Sequence, residues 1–170
     1  EAAGLATMTR NLDALSAVLD DVDAVISTAS GCGVTLKDYG RLLSGDKERQ
    51  AEAEALADKV VDVGEYLSSL GGPWQRATEA TRIALHVPCT LQHGQRQGAH
   101  PATLLESAGY ELVRTSDDHL CCGSAGSYAL LQPELSEALG ANKVAALTGD
   151  EPEIIATANV GCQMHLGGLA

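Results

Sequence analysis

Four short apolar runs in this 170-residue chain are each followed, within six residues, by a cysteine. The runs are Asp23–Thr28, Arg82–Val87, Glu111–Thr115 and Glu153–Ala158, and the cysteines are Cys32, Cys89, the pair Cys121-Cys122, and Cys162. Short aliphatic and β-branched runs bounded by Gly, Pro and Ser read as buried strands. Helical patterns lie between them, so strand and helix alternate. That alternation predicts an α/β fold with a mainly parallel sheet and flanking helices. In open parallel sheets, ligands bind beyond the carboxyl ends of the strands. The spacing therefore predicts that Cys89, Cys121, Cys122 and Cys162 converge in space, although 73 positions separate the first from the last.

The helical patterns can be placed in turn. Asn11–Leu19 carries Leu12, Leu15, Val18 and Leu19 at helical spacing, and Thr35–Leu43 reads as a short helix. Ala29–Gly33 is a loop by composition. Asp46–Leu70 reads as one or two helices, with Leu56, Val60, Val63, Leu67 and Leu70 on the apolar side. Glu48, Glu52, Glu54, Asp58 and Asp62 form its solvated face. Gly71-Gly72-Pro73 is the strongest breaker and divides the chain into residues 1–72 and 73–170. Beyond it, Pro101–Ala108 is helical and Gly109 stops it. Pro133–Leu147 is a clear helix with proline in its first turn.

Five cysteines, an odd number that includes an adjacent pair, do not read as a secreted disulfide framework. Metal ligation and thiol redox chemistry in a reducing compartment remain. The net charge of −12 repels phosphate backbones and argues against nucleic acid as a partner. No apolar run approaches the roughly 20 residues that span a bilayer. The second half reads Cys89-x31-Cys121-Cys122-Gly123-x38-Cys162-x2-His165. Thiolates are soft ligands that suit iron–sulfur clusters, zinc and copper(I). Gly123 lets the backbone approach a bulky inorganic core. The small residues that follow offer N–H groups to sulfur. No C-x2-C-x2-C-x3-C-P run of the ferredoxin type occurs.

The chain also repeats itself. Ala24–Leu36 (AVISTASGCGVTL) and Ile154–Leu166 (IIATANVGCQMHL) share a hydrophobic pair, small residues, Gly-Cys, and Leu four positions later. Cys32 and Cys162 are offset by 130.

The C…CCG…C pattern resembles the cysteine-rich CCG domain family, found twice in the heterodisulfide reductase B subunit and its relatives. Within that family, HVPCTLQHGQ, DDHLCCGSAGSYALLQPELSEAL, NKVAAL and EIIATANVGCQMHL are similar to the branch of glycolate oxidase iron–sulfur subunits. TASGCGVTLKDYG is similar to the end of a first CCG unit. The resemblance implies an electron-transfer subunit beside flavin subunits that oxidise glycolate to glyoxylate, with FAD on those partners only. It implies a cytoplasmic setting, with room for peripheral contact with the membrane through the complex. It makes residues 1–72 the tail of a truncated first unit plus linking helices, and 73–170 a nearly complete second unit. The chain is then a C-terminal fragment, inactive alone, without the ferredoxin-like motifs of the full subunit.

The resemblance places Cys89, Cys121, Cys122 and Cys162 at ligand positions for a 4Fe–4S-type cluster, with Gly123 beside it. His165 stands where the family's last Cys falls, as a ligand or as a support. Cys32 matches a ligand segment of the first unit, where Thr35 replaces the final Cys. Two other readings use the same thiols: a scaffold with structural zinc, and a redox dithiol of Cys121 and Cys122. His86 and His119 read as supporting residues.

Overall fold

The computed structural model describes residues 2–72, 74, 79 and 81–170. Pro73, which carries the expected boundary, lies outside the described residues.

Helix α1 (Ala2–Ser16) leads to strand β1 (Val25–Ser27), then α2 (Ser30–Lys37), α3 (Tyr39–Leu42) and α4 (Lys47–Lys59). Strand β2 (Val60–Asp62) follows without a loop and passes directly into α5 (Val63–Leu70). The two strands pair in parallel, Val25 against Val60 and Ser27 against Asp62. Their core is Leu12, Leu19, Tyr39, Leu43, Ala53, Leu56 and Val60.

The second half opens with β3 (Arg82–His86), a π-helical turn at Thr90–Gln95, α6 (His100–Ser107) and the short β4 (Glu111–Leu112). It continues through α7 (Ser127–Leu131), α8 (Pro133–Thr148), β5 (Ile154–Thr157) and α9 (Val160–Gly167). Its sheet has the order β4-β3-β5, and both pairings are parallel. The expected α/β class with parallel sheet and flanking helices is the one observed, as two small sheets.

The sequence reading needs four corrections. Val60–Asp62 is a strand: two β-branched residues after Lys59 pair with β1, and tertiary pairing overrides the helical pattern around them. Asp62 is consequently no part of a solvated face; it is 2% exposed. It caps α5, accepting from the Gly64 N–H at 2.9 Å, while Glu65 reaches back to the Asp62 N–H. Leu70, placed on the apolar side, is exposed. Ala29–Gly33 is not a loop: Ser30 opens α2 and Cys32 lies in its first turn, as Cys162 lies in the first turn of α9.

That last correction sharpens the repeat. Helices α2 and α9 begin and end 130 positions apart, and β1 and β5 end 130 positions apart. Leu36 and Leu166, the leucines after each Gly-Cys, pack on the first and second core respectively. The two strand–helix junctions meet. The Ser30 N–H donates to the Ala158 carbonyl at 3.2 Å, and Asn159 Nδ2 donates to Ser30 Oγ at 3.1 Å. Ser30 Oγ is also hydrogen-bonded to Thr90 Oγ1 at 2.7 Å, and its carbonyl accepts from Gln95 Nε2 at 3.0 Å.

Candidate metal centre

Strand β3 ends at His86, and Val87-Pro88 carries the chain over the sheet edge to Cys89. Strand β5 ends at Thr157, and Asn159 turns the chain into α9 by accepting from the Gly161 N–H at 2.8 Å. Cys162 stands in the first turn of α9. The segment after β4 brings Cys121 and Cys122 to the same edge. Sequence-distant thiols thus collect at the carboxyl ends of three parallel strands.

The centre of the collection is buried. Cys122 is 5% and Cys162 6% exposed, and both belong to the core formed with Ala84, Leu147 and Leu166. Their sulfurs are 2.9 Å apart and hydrogen-bonded, with both cysteines free. The Ser124 hydroxyl lies 3.4 Å from the Cys122 sulfur and donates to the Cys162 sulfur at 3.8 Å. Hydrogen bonding with Cys162 and Ser124 holds the Cys122 thiol well below its ordinary range, against the effect of burial. The same pairing, with burial, pushes Cys162 up.

His86 completes the cluster. A ring nitrogen of His86 and the two sulfurs all lie within 4.8 Å of one another. The imidazole is hydrogen-bonded through Nδ1 to Thr157 Oγ1 at 2.9 Å. Burial, and then the nearby Lys143 charge, push its pKa down to about 4, so it is neutral at pH 7. The sequence reading gave His86 a supporting place. The signal that could have raised it was its position as the last residue of a strand, three residues before Cys89.

Cys89 and Cys121 are exposed and form the rim. Partial desolvation raises the Cys89 thiol, and the charges of Cys121 and Cys122 raise it further, which puts the three thiols in one electrostatic neighbourhood. The Gly123 N–H donates to the Cys121 sulfur at 3.4 Å. His165 is directed elsewhere: its Nε2 meets the Ser136 carbonyl oxygen at 3.1 Å. The ring fills a gap where helix α8 has no side chain at Gly140, with Nε2 2.8 Å from where a Cβ would stand. Cys32 is exposed on α2 and joins no group of three ligand-type side chains among the described residues. Gly123 sits at φ +88, and a Cβ there would run into the Ser136 carbonyl oxygen. The close approach visible at Gly123 is thus to helix α8.

The donor set fits a soft metal. It offers two buried sulfurs, a neutral imidazole and two further thiols at the rim. A separate cavity of about 410 Å³ opens beside the site, between β3, β4 and α6, with Arg114 and Asp118 among its lining residues. No cysteine lines it.

A family model for the cysteine-rich domain, CCG, matches residues 83–167, which is half of the chain and holds the whole thiol cluster. The chain belongs to the cysteine-rich CCG domain family. It is 40% identical over 164 residues to the glycolate oxidase iron-sulfur subunit of Escherichia coli (strain K12), across 96% of this chain and 40% of that protein. It is 36% identical over 163 residues to the "Probable glycolate oxidase iron-sulfur subunit" of Bacillus subtilis (strain 168), across 93% of this chain and 36% of that one. Lactate utilization protein A of Bacillus velezensis is 27% identical over 154 residues, across 89% of this chain and 65% of its own length. The chain spans about two-fifths of the length of the first two. No helix among the described residues is long and apolar enough to cross a membrane.

Proposed function

We propose that this chain is the cysteine-rich electron-transfer part of an iron–sulfur subunit in a glycolate-oxidising complex. In this reading its flavin partners take electrons from glycolate, and this subunit passes them to an acceptor. The observation that carries the reading is the burial of Cys122, Cys162 and His86 together at one sheet edge, with Cys89 and Cys121 at the rim. A set of buried soft donors facing a thiol rim suits a redox centre that must be insulated on one side and reachable on the other. An iron–sulfur cluster, when bound, supplies a one-electron redox centre. The chain's own groups hold its sulfur ligands in place, shield them within the second core and direct the Ser124 hydroxyl at them. Such hydrogen bonds tune potential. The 4Fe–4S type is part of the proposal, as is the division into a partial first unit (1–72) and a second unit (73–170).

The residues proposed to hold the cluster are Cys89, Cys121, Cys122 and Cys162, with Gly123 letting the backbone beside Cys122 pack against α8. His165 serves as a support through Ser136, and Cys32 lies outside the set. In this reading the glycolate chemistry belongs to the flavin partners. Leu130, Leu131 and Met164, at 83%, 74% and 77% exposed, supply apolar surface for them. A cytoplasmic setting, with any membrane contact made through those partners, completes the reading.

The test is anaerobic purification of the full chain with iron and zinc analysis. Broad absorption at about 400 nm, bleached by dithionite, is expected. Cys122→Ser should lose it and Cys32→Ser should retain it. A colourless protein with one equivalent of zinc would establish the second reading, a structural zinc site, which the imidazole beside two thiols favours. A metal-free protein with a titratable Cys121–Cys122 disulfide would establish the dithiol instead.

A further inference from the structure

Helix α8 buries a lysine directly behind the thiols. Lys143 is 1% exposed, and its Nζ donates to the carbonyl oxygens of Asp117 and Asp118, each at 3.2 Å. No carboxylate pairs with it among the described residues. A buried ammonium hydrogen-bonded to carbonyls, with no ion-pair partner in contact, is costly. Two features show where its charge is directed. The negative charges that bear on its ammonium are those of Asp118 and Asp117 and then of Cys122, and Lys143 in turn disfavours the charged form of His86. The carbonyls it grips belong to the loop that enters Cys121-Cys122, and Asp117 there sits at φ +52, a conformation that needs external support.

We propose that Lys143 is the positioning and charge-setting residue of the cysteine site. It clamps the 117–118 loop ahead of Cys121 and Cys122, and it offsets the negative charge that thiolates bring into the core. This rests on the reading of the site as a redox metal centre. A fixed positive charge favours whichever oxidation state is more negative, so it raises the potential of a centre reduced beside it. The electron in the test comes from dithionite, and no bond of the protein is made or broken.

The experiment is a redox titration of the iron-loaded full chain, followed by its visible spectrum. Lys143→Gln keeps two N–H donors for the two carbonyls and removes the charge; Lys143→Arg keeps the charge. The Gln variant should bind wild-type iron and show a reduction equilibrium about tenfold less favourable, a fall of about 59 mV for one electron. The Arg variant should stay at the wild-type potential. Should the Gln variant not fold, Lys143→Met, apolar and of similar length, carries the same test. An iron-loaded, uncharged variant at the wild-type potential overturns the inference alone, as does an Arg variant shifted as far as Gln. A wild-type chain that binds no iron overturns the redox reading itself and takes the inference with it.

Discussion

Replacing Gly123 by alanine separates two costs that coincide at one position. The backbone there is at φ +88, and a Cβ would meet the Ser136 carbonyl oxygen, with the Ser136 carbonyl carbon at 3.1 Å and His165 Nε2 at 3.0 Å. Holding a side-chain-bearing residue in a sparsely populated conformation costs about 1–3 kcal/mol. Forcing extra volume into a packed site costs about 1–3 kcal/mol more. Stiffening the unfolded chain returns about 0.4–1 kcal/mol. The expected net loss is about 3 kcal/mol. Gly71 is the internal control: it sits at φ +61 with nothing within 4 Å of its Cβ position. Gly71→Ala carries the backbone cost alone, about 1 kcal/mol after the same return. Urea unfolding of both variants of the full chain measures the difference, provided the m-value is unchanged. A gap of about 2 kcal/mol is expected, together with weaker metal loading, because Cys122 adjoins the displaced backbone. Variants within about 0.5 kcal/mol of each other, smaller than any overpacking cost, would refute the claim that contact with α8 fixes this residue as glycine.

Two further outcomes can be read from the same kind of measurement. Burial raises the Asp62 carboxyl above its usual range, against the pull of the Gly64 N–H and Lys37. The folded state therefore holds the proton more tightly. The stability this lends is complete below the unfolded value of about 3.9 and is lost as pH rises through the folded value. Asp62→Asn keeps an oxygen for Gly64 and removes the charge; it should match the wild type below about pH 4 and be more stable at pH 7. Equal midpoints at pH 7 would contradict this. Asn159→Ala removes the α9 cap and the bond to Ser30, and should cost about 1–2 kcal/mol. A loss too small to measure would show that the two junctions do not depend on that side chain.

The sequence revealed the site's members better than their arrangement. Strand ends followed by cysteines were visible as apolar runs and Gly or Pro, so the convergence of Cys122 and Cys162 could be expected from sheet topology. The burial of His86 could not, since a histidine at a strand end has the same local pattern whether it faces core or solvent. Val60–Asp62 was hidden because helical residues flank it on both sides and pairing with β1 is a non-local event. Lys143 was hidden for a related reason. On a helical wheel a lysine reads as solvated, and only the loop at 117–118, more than 20 residues away, gives its ammonium partners inside the core.

The repeat explains why ligand-type side chains gather in one half of the chain. Thr157 pairs across the sheet with His86, and Ser27, 130 positions before Thr157, pairs with Asp62. Asp62 is thus the first half's counterpart of His86: a buried titratable group on the last residue of the strand beside the strand–helix junction. The two differ in what the chain does next. After His86, Val87 and Pro88 lead out to Cys89, and the imidazole stays within reach of two sulfurs. After Asp62 the chain turns at once into α5, and the carboxylate is used as that helix's cap. Among the described residues Cys32, the counterpart of Cys162, therefore joins no group of three ligand-type side chains, and no Cys-Cys-Gly segment occurs in residues 1–72 to supply the others. The same strand–helix junction becomes a donor site where the neighbouring strand end is left free, and a structural cap where a helix claims it.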